Sequence, residues 1–190
     1  SEMCIRDSKS LKRLRFGSAT ADGLAGIAGL TTLEDLDLNY SAVGDDAVRH
    51  LAGLAGLKSL NLYATRVTDA GLLPLKGLTA LKNLSIGENK QLTDGALTAA
   101  AAIPNLEQLW VSNCTITGSG LKDLAKHSKL KEIILSGNPV TDAHVGALKD
   151  IAPLELVNLT GTKVTEEAAL ELKTARPKLR VRDASGGEVS

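Results

Sequence analysis

"LKSLNLYATRVTDAGLLPLKGLTA", residues 57–80, places two threonines, an aspartate, a glycine and a tyrosine within a few positions, the raw material of an active site. The rest of the chain removes that impression. Leu81 begins "LKNLSIGENKQLTDGALTAA" and Leu130 begins "LKEIILSGNPVTDAHVGALK", so the stretch is one copy of a repeat. Aligned on the recurring leucine, units start at Leu11, Leu33, Leu57, Leu81, Leu106, Leu130 and Leu154, with a shortened eighth at Leu179. A steady period of about 24 residues is the mark of a solenoid, in which each unit buries its apolar side against its neighbours.

Side chains alternate along a strand, so the aliphatics at repeat positions four and six point inward: Leu60 and Leu62, Leu84 and Ile86, Leu109 and Val111, Ile133 and Leu135. Positions three, five and seven then face outward. The returning half of each unit carries leucines such as Leu72, Leu75 and Leu78, which close the core behind the sheet.

The full pattern, L-x-x-L-x-L-x-x-(small polar)-x-(aliphatic)-T-D-x-G-L, resembles the leucine-rich-repeat family from Leu11 to about Val181. Its T-D-x-G-L half is similar to the cysteine-containing subclass of F-box proteins and its bacterial relatives. The resemblance implies an α/β right-handed solenoid with a parallel sheet on the concave face and short helices on the convex face. Two departures stand against the F-box subclass: only Cys114 fills the ninth position with cysteine, and no F-box segment is present.

Repetition also assigns the polar residues. The ninth position holds Ser41, Thr65, Asn89, Cys114, Asn138 and Thr162, where the chain leaves the strand and backbone groups need partners. Thr68 and Asp69 precede a leucine-spaced run, so the threonine is expected to cap the short helix while the carboxylate favours its positive end. Gly71 is expected to let that helix approach its neighbour. Thr93-Asp94-Gly95 and Thr141-Asp142 repeat the device.

Composition agrees with a repeat array. Only Phe16, Tyr40, Tyr63 and Trp110 are aromatic, so small aliphatic side chains must fill the core in layers. With 22 basic and 22 acidic residues there is no global field to gather nucleic acid or an anionic membrane surface. Two cysteines make no disulfide framework, and no apolar run reaches the 18 residues or so of a spanning helix, so neither membrane insertion nor a signal peptide is expected and the chain reads as soluble, its compartment open. Residues 1–8, SEMCIRDS, match no repeat and resemble a translated sequencing adapter, which would make the chain a piece of a longer protein. The expected organisation is a leader at 1–8, a repeat domain at 9–182 and a polar tail at 183–190, with apolar edges uncovered at the ends of the array.

Other candidate chemistry is weak. Gly118-Ser119-Gly120 with Lys122 misses the spacing of phosphate-binding loops, and His50, His127 and His144 sit at unrelated repeat positions, as ligands of one metal should not. Cys114 has no histidine in matching register to activate it. No catalytic residue, metal or cofactor is expected.

The outward positions carry the functional expectation. Tyr40, Tyr63 and Trp110 fall on outward positions, and tyrosine and tryptophan supply binding energy at protein interfaces. Asp35 and Asp37 place two carboxylates on one face of a strand, about 7 Å apart, where a basic partner group suits them better than a metal. The expected function is a non-enzymatic protein-interaction module. Its concave contacts are Asp35, Asp37, Tyr40, Asn61, Tyr63, Ser85, Gln108, Trp110 and Asn158, and its partner a protein of unknown identity, with no nucleic acid. An alternative makes the chain the recognition arm of a larger enzyme, for example a ubiquitin-ligase adapter, a kinase or a redox protein.

Overall fold

A computed structural model describes residues 10–17 and 19–190; the leader expected at 1–8 lies outside them. Eight three-residue strands form one parallel sheet in chain order: β1 (Arg13–Arg15), β2 (Asp35–Asp37), β3 (Ser59–Asn61), β4 (Asn83–Ser85), β5 (Gln108–Trp110), β6 (Glu132–Ile134), β7 (Leu156–Asn158) and β8 (Arg180–Arg182). The middle residue of each strand is aliphatic and points into the core. Leu14 at the first strand is half-buried, and from Leu36 to Val181 these residues are buried. This two-residue alternation follows directly from the pleat.

On the return, short helices lie opposite the sheet: α1 (Ala21–Ile27), α2 (Asp45–Val48), α3 (Asp69–Leu72), α4 (Asp94–Ala101), α5 (Asp142–Val145) and α6 (Glu166–Ala175). Several run into a 3₁₀ turn, as at Leu73–Gly77, and the fifth unit returns through the 3₁₀ segment Leu121–Lys126 alone. Leu72, Leu75 and Leu78 are buried there, as the repeat pattern requires. The architecture is an α/β leucine-rich-repeat solenoid, its core a continuous column of leucine, isoleucine and valine between sheet and helices.

Polar side chains stitch the units together. Asn89 is fully buried; its Nδ2 donates to the carbonyls of Leu62 and Ile86, both at 2.9 Å, and its Oδ1 accepts from Thr65 N at 2.8 Å. Asn138 repeats this two units on, donating to Val111 O and Leu135 O and accepting from Cys114 N. The hydroxyls of Ser41, Thr65 and Thr162 each donate to the carbonyl three residues back. Among the described residues, no buried side-chain nitrogen or oxygen is left without a partner.

The Thr-Asp pairs do more than cap their own helices. Asp45 accepts from the amide and hydroxyl of Thr68 in the next unit, at 2.8 and 2.6 Å. Asp69 does the same for Thr93, Asp94 for Thr117, and Asp142 for Thr165. Burial works against the Asp94 carboxylate, but hydrogen bonds from Thr117, Gly118 and Gly120 outweigh it and hold its pKa below the ordinary aspartate value. Capping of the helix that follows is seen at Thr93, which accepts from Gly95 N, and at Thr165, which accepts from Ala168 N, but not at Thr68 or Thr141. The expected self-cap is therefore in part an inter-unit clasp. Gly71 is needed for it, since a Cβ there would land on the Asp45 carboxylate.

Two expectations at the C-terminal end change. Arg180, not Val181, pairs with Leu156, so the eighth unit enters its strand one residue earlier than an alignment on Leu179 implies. That shift turns Val181 inward, as a one-residue slip must. The apolar edge expected after β8 is covered: residues 183–187 turn on the Asp183 carboxylate, which accepts from Ser185 and Gly187, and Glu188 bridges antiparallel to Arg182. Val189 N then donates to Val181 O at 2.9 Å, and Leu179, Val181 and Val189 are buried.

Candidate functional site

The outward side chains of the sheet divide into three features. Along one rim runs a charge ladder at the residue preceding each strand from β1 to β7. Glu34 lies between Lys12 and Lys58, at 3.0 and 2.7 Å, and Glu107 lies 2.8 Å from Lys82 and 3.9 Å from Lys131. Lys58 foremost, with Lys12, holds the Glu34 carboxyl down at about 2, and Lys82 foremost lowers Glu107. All of these groups are solvent-exposed enough that screening limits their contribution to stability. The ladder lines the rim with both signs of charge, Lys58 and Lys82 standing side by side between the two glutamates.

The second feature is the turn after each strand. Repeat position eight is left-handed from the second unit to the seventh, with φ of 54° at Tyr40, 53° at Ala64, 57° at Glu88 and 53° at Asn113, and glycine at 137 and 161. A tyrosine in this conformation is unusual. Tyr40 is also 71% exposed, its ring meeting Tyr63 edge-on with centroids 5.6 Å apart. Tyr63 leans over Gly87, and burial first, then the charge of Glu88, pushes its pKa up. Glu88 in turn accepts from Asn113 Nδ2 at 2.7 Å.

The third feature is the sheet face itself. Asp35, Asp37, Ser59, Asn61, Asn83, Ser85 and Trp110 line a hollow of about 140 Å³ over β2 to β5. Trp110 is 38% exposed, and its Nε1 donates to Glu132 Oε1 on β6 at 3.0 Å. Gln108 Nε2 donates to the other oxygen of Glu132 at 2.9 Å. Glu132 thus braces two of the expected contacts from the next strand. A wider basin of about 640 Å³ continues over β4 to β8 between Lys82, Gln108, Lys131, Glu132, Leu156 and Arg180.

Five of the expected contact residues, Asp35, Asp37, Asn61, Ser85 and Trp110, meet in the one hollow, and Gln108 joins Trp110 through Glu132. Tyr40 and Tyr63 form a separate aromatic pair on the turns. Asn158 lies away from both hollows, its Oδ1 accepting from Thr160 N at 2.9 Å. Asn61 and Asp37 hold the same kind of turn, toward Tyr63 N and Asn39 N, and Asp37 also pairs with Arg15 at 3.1 Å. These three residues therefore serve the backbone as well as facing outward.

Sequence reasoning missed Glu132, Ile134 and Leu156. Ile134 is the register partner of Trp110, and Leu156 that of Glu132. The available signal was an aliphatic residue at an outward strand position in "EIIL" and "LELVNL", where the repeat otherwise places polar residues. Two chemical readings close. Burial pushes the Cys114 thiol up to about 11, far from a thiolate nucleophile, and His127 is buried with Nε2 2.7 Å from Ile103 O, a structural contact.

The leucine-rich repeat family model, described as "Leucine Rich repeat", matches residues 29–52 and 102–125, two of the units whose strands and returns have just been described. Two units of the chain thus match the leucine-rich-repeat model, and the whole array has the shape of a leucine-rich-repeat solenoid. Solved structures of leucine-rich-repeat shape include an internalin (InlF) from Listeria monocytogenes, at 22% identity and TM-score 0.69 over 93% of this chain and 62% of that one. A second, internalin C2 from the same species, has 35% identity and TM-score 0.60 over 72% of this chain and 55% of that one. This leucine-rich-repeat chain spans between half and two-thirds of the internalins' length. No curated protein matches it in sequence. No helix among the described residues is long and apolar enough to cross a membrane.

Proposed function

We propose that the chain is a protein-interaction module that holds a protein partner on its concave sheet face without catalysing a reaction. The observation that carries the reading is Trp110, more than a third exposed on an outward strand position, with outward Ile134 beside it in register and Glu132 fixing the indole N–H. An exposed indole beside a half-buried isoleucine, rimmed by polar groups, suits a binding surface, and large aromatic rings dominate interface energetics. Asp35, Asp37, Asn61, Ser85 and Gln108 supply polar contacts around it; Tyr40 and Tyr63 extend the surface onto the turns, and Asn158 marks its far side. Tyr40 supports the same reading, because the left-handed turn does not call for a bulky side chain and the ring, packed edge-on against Tyr63, is still largely open to solvent.

The test is capture of a partner from source-cell extract by wild type, Trp110→Ala and, as a convex-face control, Leu170→Ala, an exposed leucine on α6. Circular dichroism first establishes that each variant is folded. Trp110→Ala is expected to weaken binding by about 2 kcal/mol, roughly 30-fold, while Leu170→Ala leaves it unchanged. Undiminished capture by Trp110→Ala would move the interface off the sheet.

A further inference from the structure

The hollow over β2 to β5 is small, and its walls differ in chemistry. At about 140 Å³ it holds the volume of roughly five waters, at about 30 Å³ each, which suits one side chain and falls short of the 300 Å³ or so where small-molecule sites begin. One wall carries the carboxylates of Asp35 and Asp37, the floor is Ser59, Asn61 and Ser85, and the opposite wall is Trp110. Among the described residues, no lysine or arginine lines it. Arg15 reaches Asp37 from β1, but Asp35 has no ion pair among the described residues. The indole N–H is tied to Glu132 on β6, so it is not free to donate into the hollow.

Resting on the sheet-face reading, we infer that this hollow receives an arginine side chain of the protein partner. Two carboxylates facing neutral hydroxyls and amides favour a cation, and the electron-rich face of an indole attracts one. Guanidinium fits better than ammonium because it is planar, stacks on the ring and presents a fork of donors to carboxylate and hydroxyl oxygens together. The chain already stations one guanidinium beside Asp37, with Arg15 Nε 3.1 Å from its carboxylate. Asp35 is therefore the specificity-determining acceptor, and Trp110 the platform.

Trp110 is the sole tryptophan, so intrinsic fluorescence reports the hollow directly. The full chain is titrated with the blocked peptide Gly-Arg-Gly, with its lysine counterpart, and with its citrulline counterpart, which keeps the shape and loses the charge. The arginine peptide is expected to produce a saturable change in the millimolar range. The lysine peptide should bind several-fold more weakly and the citrulline peptide at least tenfold more weakly. Asp35→Asn, shown folded by circular dichroism, should weaken the arginine response about tenfold. An equal response to arginine and citrulline, no response to either, or an unaltered response in Asp35→Asn would overturn the inference. Partner capture separates it from the broader proposal: if Trp110→Ala loses the partner while Asp35→Asn and Asp37→Asn both retain it at full strength, the sheet face binds but not through an arginine. If Trp110→Ala retains it, both readings fall.

Discussion

Replacing Asn89 by alanine tests the internal stitching of the array, and the structure sets the size of the effect. Asn89 Nδ2 donates to the carbonyls of Leu62, Ile86 and Gly87, and its Oδ1 accepts from Thr65 N. Not every lost bond leaves an orphan. Leu62 O keeps the Thr65 hydroxyl at 2.9 Å, and Gly87 O keeps the amide of Ala64. Ile86 O is left with a weak thiol donor, Cys114 Sγ at 3.5 Å, and Thr65 N loses its only acceptor among the described residues. One orphaned buried amide costs about 1 to 3 kcal/mol and one weakened carbonyl about 1, so Asn89→Ala should cost about 2 to 4 kcal/mol. Asn61→Ala loses a similar bond, to Tyr63 N, on the half-exposed outward face, where water replaces it, and should cost about 0.5 kcal/mol. Asn89→Thr restores a hydroxyl to the carbonyl three residues back, as Thr65 does, but does not reach the preceding unit, and should fall between. Urea denaturation with unchanged slope measures all three. A cost for Asn89→Ala below about 1 kcal/mol, or no greater than for Asn61→Ala, would refute the account of the buried asparagines as clasps between units.

Two further outcomes follow from the charged and thiol groups. The Glu34 carboxyl should titrate near 2 by NMR and move back toward the ordinary glutamate range in Lys58→Ala, because Lys58 is the largest cause of its depression. Since the folded pKa is lowered, whatever the ladder adds to stability is present above the unfolded glutamate value and is lost as pH falls toward 2; a Glu34 midpoint near 4.5 in wild type would contradict the ladder. In a Cys4→Ser background, Cys114 should react with iodoacetamide only slowly at pH 8 until denaturant is added, its thiol being buried and held up at about 11. Rapid labelling of the folded protein would show that the site opens.

The repeat period and the inward leucines were open to sequence reading because each depends on local geometry. A 24-residue spacing stacks like on like, and alternation along a three-residue strand leaves no choice about which side Leu60, Leu84 or Leu109 faces. The ninth-position polar residues were legible for the same reason, since any chain leaving a strand there must satisfy its backbone. The eighth unit was misread by one residue because Leu179 and Val181 are both apolar and both buried, and only pairing with β7 decides which occupies the strand. The Thr-Asp clasp looked like a self-cap because its partner lies 23 or 24 residues away, a separation that means contact only once the units are stacked. Of the site, the outward aromatic and acidic residues were visible one unit at a time. That Trp110 on β5 shares a hollow with Asp35 on β2, that Glu132 braces it from β6, and that residues 183–189 fold back over β8 follow from lateral strand pairing and ring reach, which are set by the packed array as a whole.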